Sequence, residues 1–465
     1  MKLLKLSLAT AVAAGALTSL SAAPLEEAIK DIDVSGFGRY RYQADYNKKA
    51  DQFVTVTAPN GRIVKSSLGE TKSNDNFHRF TLDVNFKATL DDNFFAVIGV
   101  RYDSRDVSGS GNANTHRFRG ITNNRGGLAG INATYGNGWG GAGDSFAIRQ
   151  YYVGFTGLPG TTILAGRQPI GAFFTDDSVG TGLKIVNSSI EGLTLAAVAF
   201  DNIEDDGDLA NLSALSSANV AGVMPGLDSM PYQNNLYGVA VIGDYDFVNF
   251  QLWYAHLQNV TNVWAVDLGG KYAINDDVSI RARVNVAGTS FTGKFKDRLT
   301  PYALGSESAV GSSTFVGATA GLTAYGFGLD AGYIQFGKKD KTSLHTVEDD
   351  GKFIKAGEEL LTYNLFSGKH KVWFVKAGYT YDAFSVGVDY VHDKVKNEVN
   401  PDMKNQEWVL RAGYKYNDKL SFTAWYSMIT EKTLEKSWTD LTGMYTDESY
   451  KNKRNRFRFD ARYNF

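Results

Sequence analysis

Two adjacent carboxylates, Asp176 and Asp177, lie in a stretch of small and turn-forming residues spanning 169–182. Nine arginines, Arg39, Arg41, Arg79, Arg101, Arg281, Arg283, Arg411, Arg456 and Arg458, occupy polar positions of segments whose alternate residues are apolar. Carboxylates facing guanidinium groups across a narrow wet passage create a transverse field, and charged rings at close quarters set ion preference. The simpler reading of the aspartates is a capped loop turn, and of each arginine a solvated side chain on a wet wall. Bond-making chemistry finds no comparable constellation. There is no Cys, and the six His (His78, His116, His256, His345, His370 and His392) are scattered without metal-ligand spacing. Residues 138–143 satisfy G-x-G-x-x-G but neither follow a strand nor open a helix, so they carry no dinucleotide site. The chain is not read as an enzyme and needs no cofactor.

One further cluster bears on ions. Asp201, Glu204, Asp205 and Asp206 offer the hard oxygens that Ca²⁺ takes. The spacing fails the EF-hand pattern, because Ser213 stands where the closing Glu belongs. A solvated acidic loop is the plainer alternative to a structural Ca²⁺ site.

Strands must position these charges. In the last residues, Phe457, Phe459, Ala461, Tyr463 and Phe465 share one face of an extended chain, and Arg456, Arg458, Asp460, Arg462 and Asn464 the other. Residues 77–90 alternate in the same way, with Phe80, Leu82, Val84 and Phe86 opposing Arg79, Thr81, Asp83 and Asn85. Asp91–Asn93 then turns the chain into a second such strand carrying Arg101. The pattern recurs around Arg39 and Arg41, Arg281 and Arg283, and Arg411. Short turns alternate with long polar segments, including 47–76, 104–144, 201–234, 288–313, 338–371 and 430–453. The fold class implied is all-β: a transmembrane antiparallel β-barrel of about eighteen strands, with short periplasmic turns and long extracellular loops. Segments 146–156 and 161–168 alternate poorly. At this strand number the lumen is an aqueous channel.

Composition agrees. Aromatics reach 13%, Gly numbers 49 and Pro 8, as girdled strands and long loops require. Mean hydropathy is -0.25 and no segment has the apolar length of a membrane helix. Residues 1–22 read as a signal peptide, with basic Lys2 and Lys5, an apolar core and a small-residue exit. Residues 23–465 then form one barrel domain, carrying 46 Lys and Arg against 50 Asp and Glu once Lys2 and Lys5 are removed. That balance excludes a generic nucleic-acid binder. Residues 25–32 suit either a short helix or a periplasmic tether.

The run Ala23-Pro24-Leu25-Glu26-Glu27-Ala28-Ile29-Lys30 closely resembles the mature start of Campylobacter-type major outer membrane porins. Gly166-Arg167-Gln168, Thr175-Asp176-Asp177, residues 180–184 and 190–197, Lys355-Ala356-Gly357-Glu358-Glu359 and the terminal Phe465 are similar to the same family. The resemblance implies a trimeric general-diffusion porin of eighteen strands in the outer membrane, with an inward constriction loop, here placed at residues 169–182. The expected partners are outer-membrane lipid and lipopolysaccharide, two further copies of the chain, and small hydrophilic solutes and ions. Phe465 is expected to be the assembly signal read by the barrel assembly machinery. Small outward residues Val316, Ala318, Ala320 and Ala324 suit a protein contact. A substrate-specific channel with a basic ladder, and a barrel displaying adhesive or receptor loops, are the competing readings.

Overall fold

The computed structural model describes residues 32–49, 53–57, 63–67, 70–109, 145–204, 235–292, 311–347, 349–364, 366–397, 403–438 and 445–465. The signal segment, residues 138–143, His116, Asp205 and Asp206 lie outside these residues, as do residues 25–31. The first half holds β1 (Ile32–Lys49), β2 (Phe53–Thr57), β3 (Ile63–Ser67), β4 (Thr71–Thr89), β5 (Phe94–Gly109), β6 (Ser145–Leu158), β7 (Thr161–Pro169), β8 (Val179–Ile190) and β9 (Leu193–Glu204). Next come β10 (Leu236–Tyr245), β11 (Val248–Leu257), β12 (Thr261–Ala273), β13 (Val278–Phe291), β14 (Ser313–Ala324) and β15 (Phe327–Ser343). The chain ends with β16 (Phe366–Tyr381), β17 (Phe384–Lys396), β18 (Met403–Lys415), β19 (Leu420–Trp438) and β20 (Tyr445–Asn464).

Eighteen of these strands pair antiparallel in one sheet, and β2 with β3 forms a separate hairpin. β1 pairs with β4 on one side and β20 on the other, which closes the sheet into a barrel. The seam runs in register from Phe37 opposite Asn464 to Lys48 opposite Lys453. At its foot Gly36 and Phe465 exchange both backbone hydrogen bonds, each 3.1 Å.

Side-chain alternation sorts the wall. On β18, Trp408 and Leu410 are exposed outward while Glu407 and Val409 are buried within. Apolar and aromatic side chains dominate the outside, among them Leu322, Leu329, Tyr333, Trp373 and Trp408. Tyr272, Tyr325, Phe327, Tyr381, Phe384 and Tyr416 ring the short-turn end, where amphipathic rings anchor at a membrane interface. Tyr390 packs at a tilt between Trp373 and Trp408 farther up, with centroids 5.0 and 4.6 Å away.

Three expectations are corrected. Segment 430–453 is largely strand, because β19 runs to Trp438 and β20 begins at Tyr445, pairing down their whole length. Segment 47–76 holds the β2–β3 hairpin and the start of β4. Segment 338–371 is not an outer polar loop: it folds into the barrel. Both poorly alternating segments are strands, and the first of them, β6, carries bulges. On β6 the register with β5 skips Arg149, so the outward series shifts from Phe146 and Ile148 to Tyr151 and Val153. A bulge re-aims side chains in this way.

The two-faced wall gives a direct test. Leu410, half exposed between Trp408 and Tyr414, faces lipid, whereas Thr423 on β19 faces the lumen. Leu410→Arg is expected to destabilise the vesicle-inserted barrel by about 2–4 kcal/mol, and Thr423→Arg to leave it nearly unchanged. Urea unfolding from lipid vesicles measures both.

Candidate functional site

The site begins where β7 ends. Pro169 stops the strand ladder, and residues 170–178 turn into the lumen before β8 resumes. Ile170, Phe173 and Phe174 are almost fully buried, which an outward loop would not allow. Gly171 at φ 67° supplies the left-handed bend at the root. Lys184 on β8 donates to the carbonyls of Pro169 and Ile170, fixing that root to the wall. Thr175 Oγ1 and the Ala172 backbone close a small turn. Of the 169–182 segment, residues 170–178 form this turn, and the remainder belongs to β7 and β8.

A second inward loop, residues 344–364 between β15 and β16, meets the first. Lys352 N–H donates to Phe173 O and Val347 N–H to Phe174 O, both at 2.8 Å, so the two loops share backbone hydrogen bonds. Phe173 packs edge-on to Phe353, which continues into a buried aromatic cluster with Phe315, Phe336, Tyr363 and Phe366. Tyr363 is fully buried and its hydroxyl donates to Ile354 O at 2.9 Å. His345 lies in the same cluster, bonded to Ser313 at 3.0 Å, and burial pushes its imidazole down to about 3, so it stays neutral. The wall also grips this loop: Asn285 accepts from Ile354 N–H at 2.7 Å, and Glu407 accepts from the N–H groups of Glu358, Glu359 and Leu360.

The charges named from sequence fall into pairs. Asp177 lies 3.6 Å from Arg101 and 3.4 Å from Arg149, which also donates to the Asp177 carbonyl. Asp176 instead pairs across the loop junction with Lys352, at 3.4 Å. Arg41 binds Asp460 at 2.6 Å, Arg79 binds Asp103 at 2.8 Å and Arg101 binds Asp83 at 2.8 Å. Arg281 pairs with Asp330 at 2.5 Å, and Arg283 with Asp267 at 2.8 Å. Arg411 bridges Asp389 and Glu358, and Arg456 bridges Asp45 and Glu359, at 2.5 and 2.6 Å. Arg458 sits 3.6 Å from Asp460 and over the Trp425 ring, while Arg39 reaches Thr81. All nine arginines and both aspartates therefore line the lumen, but not as two bare arrays. Arg41, Arg79, Arg456 and Arg458 gather with Asp176 around one cavity, whereas Arg281 and Arg283 lie on β13, outside its lining.

That cavity has a volume of about 700 Å³. One side is strand wall carrying Arg41, Gln43, Arg79, Arg456 and Arg458. The other is loop carrying Asp176, Asp349, Asp350, Lys355, Glu358 and Glu359. Burial pushes the Asp350 carboxyl above its ordinary range while Lys355, 3.3 Å away, pulls it back. Burial likewise raises Glu359, opposed by Arg456. Sequence reasoning missed Arg149, Lys352, Asp350, Glu358, Glu359 and Glu407 as site residues. The poor alternation of β6 marks the irregularity at Arg149 but does not say which face that side chain takes. The second loop was legible as Leu344, Val347, Phe353, Ile354 and Tyr363, too apolar for a segment in water. Of the calcium candidates, Asp201 is exposed at a bulge of β9 and Glu204 ends that strand. Among the described residues no group of three His, Asp or Glu side chains is placed to hold a metal ion.

Solved structures share the architecture. OccD3 (OpdP) of Pseudomonas aeruginosa superposes with a TM-score of 0.57 at 12% identity, covering 93% of this chain and 91% of that one. OccAB2 of Acinetobacter baumannii gives 0.58 at 11%, covering 93% and 98%. The outer membrane protein opdK of Pseudomonas aeruginosa gives 0.55 at 11%, covering 92% and 99%. At such identities the likeness speaks for the fold alone. Comparison with curated proteins gives no significant match. The model of the Campylobacter major outer membrane protein family matches residues 1–463. With its closed barrel and charged lumen, the chain is an outer-membrane porin of the Campylobacter major outer membrane protein family.

Proposed function

We propose that the barrel passes small hydrophilic solutes and ions by general, passive diffusion, without cofactor or catalysis. The carrying observation is the charge balance of the constricted cavity, where five cations (Arg41, Arg79, Lys355, Arg456, Arg458) face five carboxylates (Asp176, Asp349, Asp350, Glu358, Glu359). A specific anion conduit would hold its arginines free. Here most of them are already bonded to carboxylates, which leaves little net field to retain one class of solute. A display barrel would have its lumen plugged, and the cavity of about 700 Å³ between wall and loops favours passage instead.

The unit is proposed to be a trimer in contact with lipid and lipopolysaccharide. Gly270, Ala282, Ala320 and Ala331 stand side by side on four consecutive strands of the outer face. They floor a shallow apolar depression of about 610 Å³ rimmed by Ile280, Leu322 and Leu329. Small residues let another surface approach closely where lipid gives no hydrophobic drive. Phe465, at the foot of the seam, is proposed as the assembly signal. A structural Ca²⁺ on the acidic run that begins with Asp201 and Glu204 is a further proposal.

Single-channel recording is expected to show linear conductance that glucose does not saturate, with small zero-current potentials in asymmetric KCl. Liposomes are expected to swell in isotonic sugar. Saturable, solute-blocked currents would favour a specific channel, and absent swelling a display barrel. Asp176→Asn/Asp177→Asn leaves Arg149 and Lys352 less compensated, so its zero-current potential is expected to move toward the chloride equilibrium value. An unchanged potential would remove both residues from the filter. Ala320→Trp fills the apolar depression and is expected to convert the trimer to monomer in native mass spectrometry.

A further inference from the structure

Glu407 stands out as a fully buried carboxylate on the inner face of β18. Oε1 accepts from Glu358 N–H at 3.1 Å, Glu359 N–H at 3.0 Å and Ser427 Oγ at 2.6 Å, and Oε2 accepts from Leu360 N–H at 3.2 Å. Three successive backbone N–H groups closing on one anion form a nest, a concavity shaped for a carboxylate or similar anion. The geometry leaves no slack. Gly357 opens the nest at φ 71°, and a Cβ there would come within 2.0 Å of Glu407 Oε2. The side chains of Glu358 and Glu359 splay to Arg411 and Arg456 on the wall. Among the described residues no cation pairs with Glu407 itself, so the loop's own N–H groups and Ser427 satisfy its charge.

We propose that Glu407 is the positioning residue that sets the size limit of the channel, by holding an anion-binding nest of the 344–364 loop against the wall. This rests on the diffusion reading above. With the carboxylate in place, Asp349, Asp350, Glu358 and Glu359 are held at the constricted cavity. Without it, the buried N–H groups at 358–360 lose their acceptor, and the loop that carries those carboxylates moves off the wall. The nest is then empty and open to a small carboxylate from solution.

The test is single-channel recording and liposome swelling of the full-length barrel, with folding checked by its faster migration on unheated gels. Glu407→Ala is expected to raise conductance, add flicker and admit sugars that the unaltered barrel excludes. Replacing chloride by formate is expected to restore the original size limit to Glu407→Ala and to leave the unaltered barrel's limit unchanged. Gly357→Ala displaces the same loop by a clash of its Cβ with Glu407 Oε2, while every wall residue keeps its identity. It is expected to lose the size limit in the same way but without formate rescue, and it serves as the test if Glu407→Ala does not fold. A folded Glu407→Ala barrel with the original size limit, or an enlarged one indifferent to formate, would overturn the proposal. So would a folded Gly357→Ala barrel that keeps the limit. If the unaltered barrel passes no ions at all, it is the diffusion reading that fails.

Discussion

Everything in this molecule depends on closure of the hydrogen-bond ladder. In the hydrocarbon layer no water is present to satisfy a free N–H or C=O, so a sheet can cross only when it has no edge. The pairing of β1 with both β4 and β20 removes the two edges an eighteen-strand sheet would leave. Closure also determines the two faces. Once the ring is shut, alternate side chains must meet either lipid or the lumen, and aromatic and aliphatic residues take the first while Arg, Asp and Glu take the second.

A ring this wide does not fill its own interior, so the chain fills part of it with loops. Those loops need what a soluble core would give them, and the barrel supplies it locally. Phe173, Phe353, Phe315, Phe336 and Tyr363 form an aromatic core inside the lumen, against the inner faces of β14 and β15. Around the remaining space the charges are cross-linked rather than free: Arg456 joins a wall aspartate, Asp45, to a loop glutamate, Glu359, and Arg411 joins Asp389 to Glu358. Such pairs hold register and loop position in one network. They also explain how a dense set of arginines coexists with near electroneutrality.

Much of this was legible in the sequence. Strict alternation in β1, β4, β5, β13, β18 and the end of β20 pointed to the class and to the inward phase of the nine arginines, and the spacing of the turns to the strand number. What escaped was whatever breaks period two. Arg149 sits on a bulge, where one extra residue turns the inward face over, and no alternation count can place it. The 344–364 loop escaped because its charged residues, Asp349, Asp350, Lys352, Lys355, Glu358 and Glu359, look like solvent contacts. In a porin they are solvent contacts, but the solvent is inside. The apolar residues between them, Phe353 and Ile354 above all, carried the information that this segment needs a packed partner.

The bond between Arg41 and Asp460 joins positions 419 residues apart. The lowest rungs of the seam, at Gly36 and Phe465, span still more of the chain. Contacts of such separation form late, after many shorter hairpins have zipped. Until then both border strands offer unpaired backbone to any neighbouring chain, a standing invitation to aggregate. A wall without β20 would leave β1 and β19 with open edges, so the ring is sealed only when that strand is in place.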